Sequence, residues 1–177
     1  MIKSYKDFII EKVSTNRFGC VMLDLRINNW ESIIRQINKD DLYSKPNFGI
    51  ETDPHITVFY GLHSNVPDEK VISIINKYKY KQFNFKVKGV DSFKNTDYDV
   101  LKFSVEADDV LQEFNNELSK LPNSNEYPDY KPHITIAYLL PGMAEQYYNL
   151  DFEVSDLEIK SIKYSKANGQ KLIYNVY

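Results

Sequence analysis

The 177-residue sequence holds one cysteine, Cys20. A single thiol excludes an internal disulfide and a thiolate metal cluster. Cys20 lies in the apolar run Phe18-Gly19-Cys20-Val21-Met22-Leu23 with no neighbouring cation to activate it, so it reads as a small buried hydrophobe. No apolar run approaches the ~18 residues that a membrane span needs. The opening Met1-Ile2-Lys3-Ser4-Tyr5-Lys6-Asp7-Phe8 is charged and has no apolar signal region. These absences predict a cytoplasmic protein with no membrane partner. Excess basic charge is also lacking: 22 Lys and Arg stand against 25 Asp and Glu, for a net charge of −3 and a pI near 5.7. Proteins that grip a long nucleic acid ordinarily carry a basic face. The balance therefore favours a small or pocketed substrate. Glycine and proline are sparse, at 6 and 7, and no linker or low-complexity tract interrupts the chain. One domain is expected over 1–177.

Aromatic residues are plentiful, at 14% with 14 tyrosines. Tyrosine suits β structure and also permits base stacking, so its abundance alone does not decide between them.

Residues 1–12 read as a short amphipathic helix. Beyond them the chain repeats itself. Pro54-His55-Ile56-Thr57-Val58-Phe59-Tyr60 returns as Pro132-His133-Ile134-Thr135-Ile136-Ala137-Tyr138, identical at five of seven positions and offset by 78 residues. Each copy follows a predicted strand and helix: a strand over 18–25 and a helix from about Asn29 to Asn38, then a strand over 98–105 and a helix over 108–120. Asp108 or Asp109 suits the N-cap of the latter. Pro67-Asp68-Glu69 opens a further helix to about Tyr78, with acids matching the helix dipole. Strands are expected over 82–90, 151–164 and 170–177, and the counterpart helix after the second copy, Gly142 to Asn149, is short or missing. The sum is an α+β fold of duplicated strand–helix–strand units with approximate two-fold symmetry. The lobe carrying the first copy is expected at about 13–90 and the second at about 91–177.

In a strand, residues two apart share a face. His55, Thr57 and Phe59 then point one way and Ile56, Val58 and Tyr60 the other; His133, Thr135 and Ala137 match the first set, and Tyr138 the second. Repeated tyrosine on the apolar side reads as packing. The opposite face carries an imidazole and a hydroxyl twice over. Two imidazoles flanking a phosphate can act as general base and general acid, because the unperturbed pKa of histidine, roughly 6.5, lies near working pH. Threonine hydroxyls can donate to the non-bridging oxygens as charge develops. A single His-x-Thr is as consistent with a structural strand as with catalysis. Two matched copies, in a chain of three histidines and five threonines, favour catalysis. His-x-Thr also lacks the ligand set of a zinc or manganese site, so no metal and no cofactor are expected.

The doubled motif resembles the 2H phosphoesterase superfamily, named for its two His-x-Thr or His-x-Ser motifs, over roughly 17–177. Gly49-Ile50-Glu51-Thr52-Asp53, Tyr60-Gly61-Leu62 and Asp129-Tyr130-Lys131 running into the second motif look like its phage-encoded branch, as does Ser4-Tyr5-Lys6-Asp7-Phe8-Ile9. That branch degrades the cyclic oligonucleotide signals of bacterial CBASS immunity. The resemblance implies a bilobal fold with antiparallel sheets around a central cleft and metal-independent cleavage of 3′–5′ bonds in cyclic di- and trinucleotides in a host bacterial cytoplasm. His55, Thr57, His133 and Thr135 match its catalytic positions. Two other readings stay open: RNA end processing at 2′,3′-cyclic phosphates or 2′–5′ linkages, and a sponge that holds nucleotides without cutting them.

The remaining candidates sit in loops beside the motifs, where recognition often resides. Tyr43, Phe48, Tyr127 and Tyr130 are candidate base-stackers, and Lys131 a phosphate contact. Glu51 and Asp53 either orient an imidazole or read a base edge, although a surface carboxylate is the plainer reading. His63 reads as a solvated loop residue, and the alternating Lys77, Lys79, Lys81, Lys86 and Lys88 as a solvated face.

Overall fold

The computed structural model describes residues 18–46, 48–125, 127, 129–150 and 152–176; the helix expected over 1–12 lies outside them. Its centre is a seven-stranded, wholly antiparallel sheet. The strands are β1 (Gly19–Ile27), β2 (His55–Leu62), β3 (Lys86–Lys94), β4 (Asp99–Glu106), β5 (His133–Leu139), β6 (Leu157–Ser165) and β7 (Lys171–Asn175), in the order β3-β4-β5-β2-β1-β6-β7. The helices are α1 (Trp30–Ile34), α2 (Asp68–Tyr78) and α3 (Asp109–Ser119). No helix among the described residues is long and apolar enough to cross a membrane.

Alternation in the strands divides the sheet into two faces. Val21, Leu23, Leu25, Ile56, Val58, Phe103, Ile134, Ile136 and Ile162 join one core with Ile33, Val71, Ile75, Leu111, Phe114 and Leu118 of the helices. Tyr78 of α2 stacks on Phe114 of α3 with ring centroids 4.5 Å apart. Burial of such side chains contributes roughly 1.5–3 kcal/mol each. The helices therefore cover one face, and the other carries the polar residues of β1, β2, β4, β5 and β6. Asp108 caps α3 as expected, its carboxylate accepting from Leu111 N at 2.8 Å.

Several boundaries differ from the sequence expectation for local reasons. The helix expected to Asn38 stops at Ile34, because Gln36 and Ile37 turn to i→i+3 bonds onto Ile33 and Ile34. β3 begins at Lys86 instead of 82, since the Asn84 N–H binds the Asp108 carboxylate and not the ladder. β6 begins at Leu157 after Asp156, whose φ of 47° interrupts an extended chain.

The two half-sheets are also not the two halves of the sequence. β3, which straddles the expected boundary at 90/91, pairs with β4, while β6 and β7 return to pair with β1. Strand–helix–strand duplication accounts for β1–α1–β2 and β4–α3–β5. The outer strands are added by antiparallel pairing, which needs only an available edge.

Candidate active site

β2 and β5 meet at the sheet's centre through one registered pair, Ile56 with Ile134. One step outward, the antiparallel register sets His55 across from Thr135 and Thr57 across from His133. The four polar side chains share the face away from the helices. Thr57 and Thr135 are each 8% exposed, His133 is 9% exposed and His55 is half-buried. Where β2 lacks a ladder partner, side chains complete its bonding: Tyr130 Oη donates to Thr57 O at 3.0 Å, and Asn115 Nδ2 of α3 donates to Val58 O at 2.7 Å.

Each imidazole is anchored alike. His55 Nδ1 lies 2.9 Å from Asp53 O, and His133 Nδ1 lies 3.0 Å from Lys131 O. A carbonyl oxygen only accepts, so each Nδ1 carries the hydrogen, and Nε2 is the nitrogen that gains and loses a proton. The anchor also fixes the ring plane, as general acid–base catalysis requires.

The strict alternation expected through Tyr60 and Tyr138 fails, in both copies and for one reason. The β1–β2 register steps from Met22↔Thr57 to Val21↔Phe59, and the β4–β5 register steps from Lys102↔Thr135 to Leu101↔Ala137. A bulge adds a residue and reverses the faces beyond it. Phe59 and Ala137 therefore join the core, while Tyr60 and Tyr138 come to the side of the histidines. Tyr60 is half-buried and lines two cavities that flank the motif.

The first cavity, of about 230 Å³, lies between β2, α3 and the approach to β5, bounded by Thr57, Tyr60, Asn116, Tyr127, Asp129 and Lys131, and its lining includes neither motif histidine. The second, of about 140 Å³, is bounded by His55, Glu51, Asp53, Tyr60, Lys163 and Lys171. Glu51 is not the surface carboxylate its sequence suggested. It is 2% exposed, its Oε1 accepts from Asp53 N at 3.2 Å, and its carbonyl accepts from Trp30 Nε1 at 2.9 Å. Tyr127 and Lys131 do line the first cavity. Tyr130 lines it too, with its hydroxyl tied to β2, and burial pushes its phenol pKa far up. Tyr43 and Phe48 pack with Tyr98 and Tyr138, at centroid distances of 5.1 to 5.3 Å for the contacts of Phe48. Those two residues build a wall and line neither cavity. His63 is not merely solvated: its Nε2 meets Ser124 Oγ at 2.7 Å and its ring lies 5.9 Å from Phe18. Lys77 and Lys88 pair with Glu117 and Glu106 on an exposed face, as expected.

Sequence reasoning missed the charged residues on the strands flanking the motif. Asp24 of β1 is held by Lys163 Nζ at 2.5 Å and Ser161 Oγ at 2.9 Å. Lys102 of β4, 3% exposed, donates to Asp91 Oδ2 at 3.0 Å and Ser104 Oγ at 2.8 Å and stands 4.3 Å over the Phe93 ring. Burial lowers the Lys102 pKa from its ordinary value, with the Asp91 carboxylate opposing that shift. The signal was present: Asp24 and Lys102 each interrupt an apolar strand at a position of the polar face.

Residues 27–159 match the family model described as the 2′-5′ RNA ligase superfamily, well over half of the chain. The chain belongs to the 2′-5′ RNA ligase superfamily, the 2H phosphoesterases. Its fold agrees: Kluyveromyces marxianus Usb1 superposes with a TM-score of 0.57 at 10% identity, over 92% of this chain and 99% of that one. The structure of the same protein with uridine monophosphate gives the same values. LigT of E. coli in complex with ATP is matched with a TM-score of 0.48 at 14% identity, over 93% of this chain and 96% of that one. No curated protein matches in a sequence comparison. This 2H phosphoesterase carries its two His-x-Thr sequences on paired central strands.

Proposed function

We propose that this 2H phosphoesterase is a metal-independent phosphodiesterase that hydrolyses 3′–5′ bonds of cyclic oligonucleotide second messengers, as a counter to CBASS immunity. The observation that carries the catalytic part is the matched anchoring of His55 and His133 on adjoining strands, each Nδ1 held by the carbonyl two residues before it. One neutral imidazole removes the proton from the attacking oxygen, a ribose 2′-OH or water. That oxygen bonds to phosphorus as the P–O bond to the departing oxygen breaks. The second imidazole, protonated, delivers its proton to the departing oxygen, and Thr57 and Thr135 donate to the non-bridging oxygens.

Two cavities that share Tyr60, one reaching Thr57 and the other His55, suit a substrate with more than one nucleotide. On this reading Tyr60, Tyr127 and Lys131 would contact the first nucleotide, and Glu51 and Asp53 the second; their lining of the two cavities supports it. The formal charge of −3 disfavours long RNA as substrate. The test is incubation with cyclic di- and trinucleotides in EDTA, with products followed by mass spectrometry. Linear products are expected. Intact cyclic nucleotides, together with opening of an RNA 2′,3′-cyclic phosphate, would instead assign the chain to RNA end processing, which the same residues could perform. Ligand retained uncut by the native protein would leave a sponge.

A further inference from the structure

The two copies of the motif are near-identical, but their outer neighbours carry opposite charge. β1 sets Asp24 directly across from His55. β4 sets Ser104 across from His133 and Lys102 across from Thr135. Directly opposed side chains on one face have Cβ atoms about 4.5–5.5 Å apart, and diagonal ones about 7–8 Å. Both charges are fixed in place, Asp24 by Lys163 and Ser161, Lys102 by Asp91 and Ser104. The clusters sit on corresponding strands with the sign turned, two residues apart along them: Asp24 corresponds to Ser104, and Lys102 to Met22. The inner strand supplies the carboxylate in one half and the ammonium in the other.

We infer that Asp24 and Lys102 divide the work of the two histidines, making His55 the imidazolium that acts as general acid and His133 the neutral imidazole that acts as general base. The inference deepens the phosphodiesterase reading and rests on it for the words acid and base. Two imidazoliums on adjoining strands repel, so near neutral pH the pair favours a single proton. The surrounding charge decides which ring holds it. Facing His55 are Asp24 of β1, Lys163 of β6, Lys171 of β7, and Glu51 and Asp53 of the approach loop, with Tyr60 and Cys20 completing the wall. Carboxylates outnumber ammoniums there by three to two, and Asp24 is nearest by register. On the His133 side stand Lys102 and Ser104 of β4, Lys131 and Asp129 of its own approach, and Asp91 of β3 one strand further out. Phe93 closes that side, its ring perpendicular to that of His133 with centroids 4.9 Å apart and with Lys102 over its face. Ammoniums and carboxylates there balance at two each, against an excess of one carboxylate around His55. The attacking oxygen therefore lies on the β5 side of the phosphorus and the departing oxygen on the β2 side.

The experiment is an NMR titration of the imidazole C2 protons of the full chain, which needs no substrate. It thus succeeds or fails separately from the choice of cyclic nucleotide. His55 is expected to titrate above His133. Asp24→Asn should lower the apparent pKa of His55 by on the order of one pH unit and move His133 by much less. Asp91→Asn leaves Lys102 in place without its counter-charge and should lower His133. Lys102→Met should raise His133, and if that buried change unfolds the chain, Asp91→Asn carries the test. In kcat/KM against pH, Asp24→Asn should draw in the alkaline limb and leave the acid limb in place. A His133 that titrates above His55, or an Asp24→Asn variant that moves neither ring, overturns the inference.

Discussion

His55 is half-buried and lines a cavity walled by Glu51, Asp53, Lys163 and Lys171, whereas His133 is buried, its ring perpendicular to that of Phe93. Beyond them, Tyr60 is half-buried between two cavities, and its counterpart Tyr138 is packed among Tyr43, Phe48 and Tyr98. The halves agree in what the backbone must do. Both present His and Thr on one face, both bind Nδ1 to the carbonyl two residues earlier, and both bulge after the threonine. They differ in what surrounds that device. On the proposed mechanism, catalysis at one phosphorus needs two like donors but unlike protonation states, and the proposed substrate needs unlike walls. A fully symmetric site would supply only the first.

The most severe way to break the comparison is to remove one histidine. His55→Ala and His133→Ala should each lower kcat by about 10²–10⁴-fold in the EDTA assay, with the fold intact by circular dichroism. Either ring is necessary, so the two losses should be similar in spite of unequal burial. Wild-type activity in either variant would remove the acid–base assignment. The native enzyme should show a bell-shaped dependence of kcat/KM on pH, and a flat profile between pH 5 and 9 would do the same.

The repeated tyrosines sharpen the contrast, because one residue type is asked to do two jobs. Tyr138→Ala should destabilise the chain by roughly 3 kcal/mol, as expected for emptying an aromatic site in a packed cluster. Thermal unfolding would read this, and KM should change little. Tyr60→Ala should do the reverse, raising KM by several-fold with a small change in melting temperature. Equal stability losses would mean that Tyr60 is packing after all.

The tyrosines also show how far the sequence could be read. Periodicity was enough to place β1, β2, β4 and β5, the helices α2 and α3, and the pairing of His with Thr on one face. These depend on local alternation and on caps such as Asp108. The face of Tyr60 and Tyr138 was not readable, because it depends on a bulge seen only in the register of a neighbouring strand. The return of β6 and β7 to β1 was hidden for a similar reason: antiparallel pairing is set by available edges and not by chain order. Glu51 was hidden by its loop position. Its burial depends on Trp30, whose indole N–H binds the Glu51 carbonyl from 21 residues away.

The smallest effect concerns the seam itself. β2 and β5 share one registered pair, so the halves are held at their centre by few ladder bonds, and Tyr130 Oη adds a link from the second motif's approach to Thr57 O. Tyr130→Phe keeps the ring and removes only that donor. It should cost about 1 kcal/mol, the usual worth of one hydrogen bond whose acceptor can turn to water. Because Thr57 moves with its backbone, kcat should fall slightly more than stability alone explains. Denaturant unfolding and turnover measured on the same preparation separate the two. A Tyr130→Phe variant with full stability and altered KM would make Tyr130 a substrate contact and not a tether.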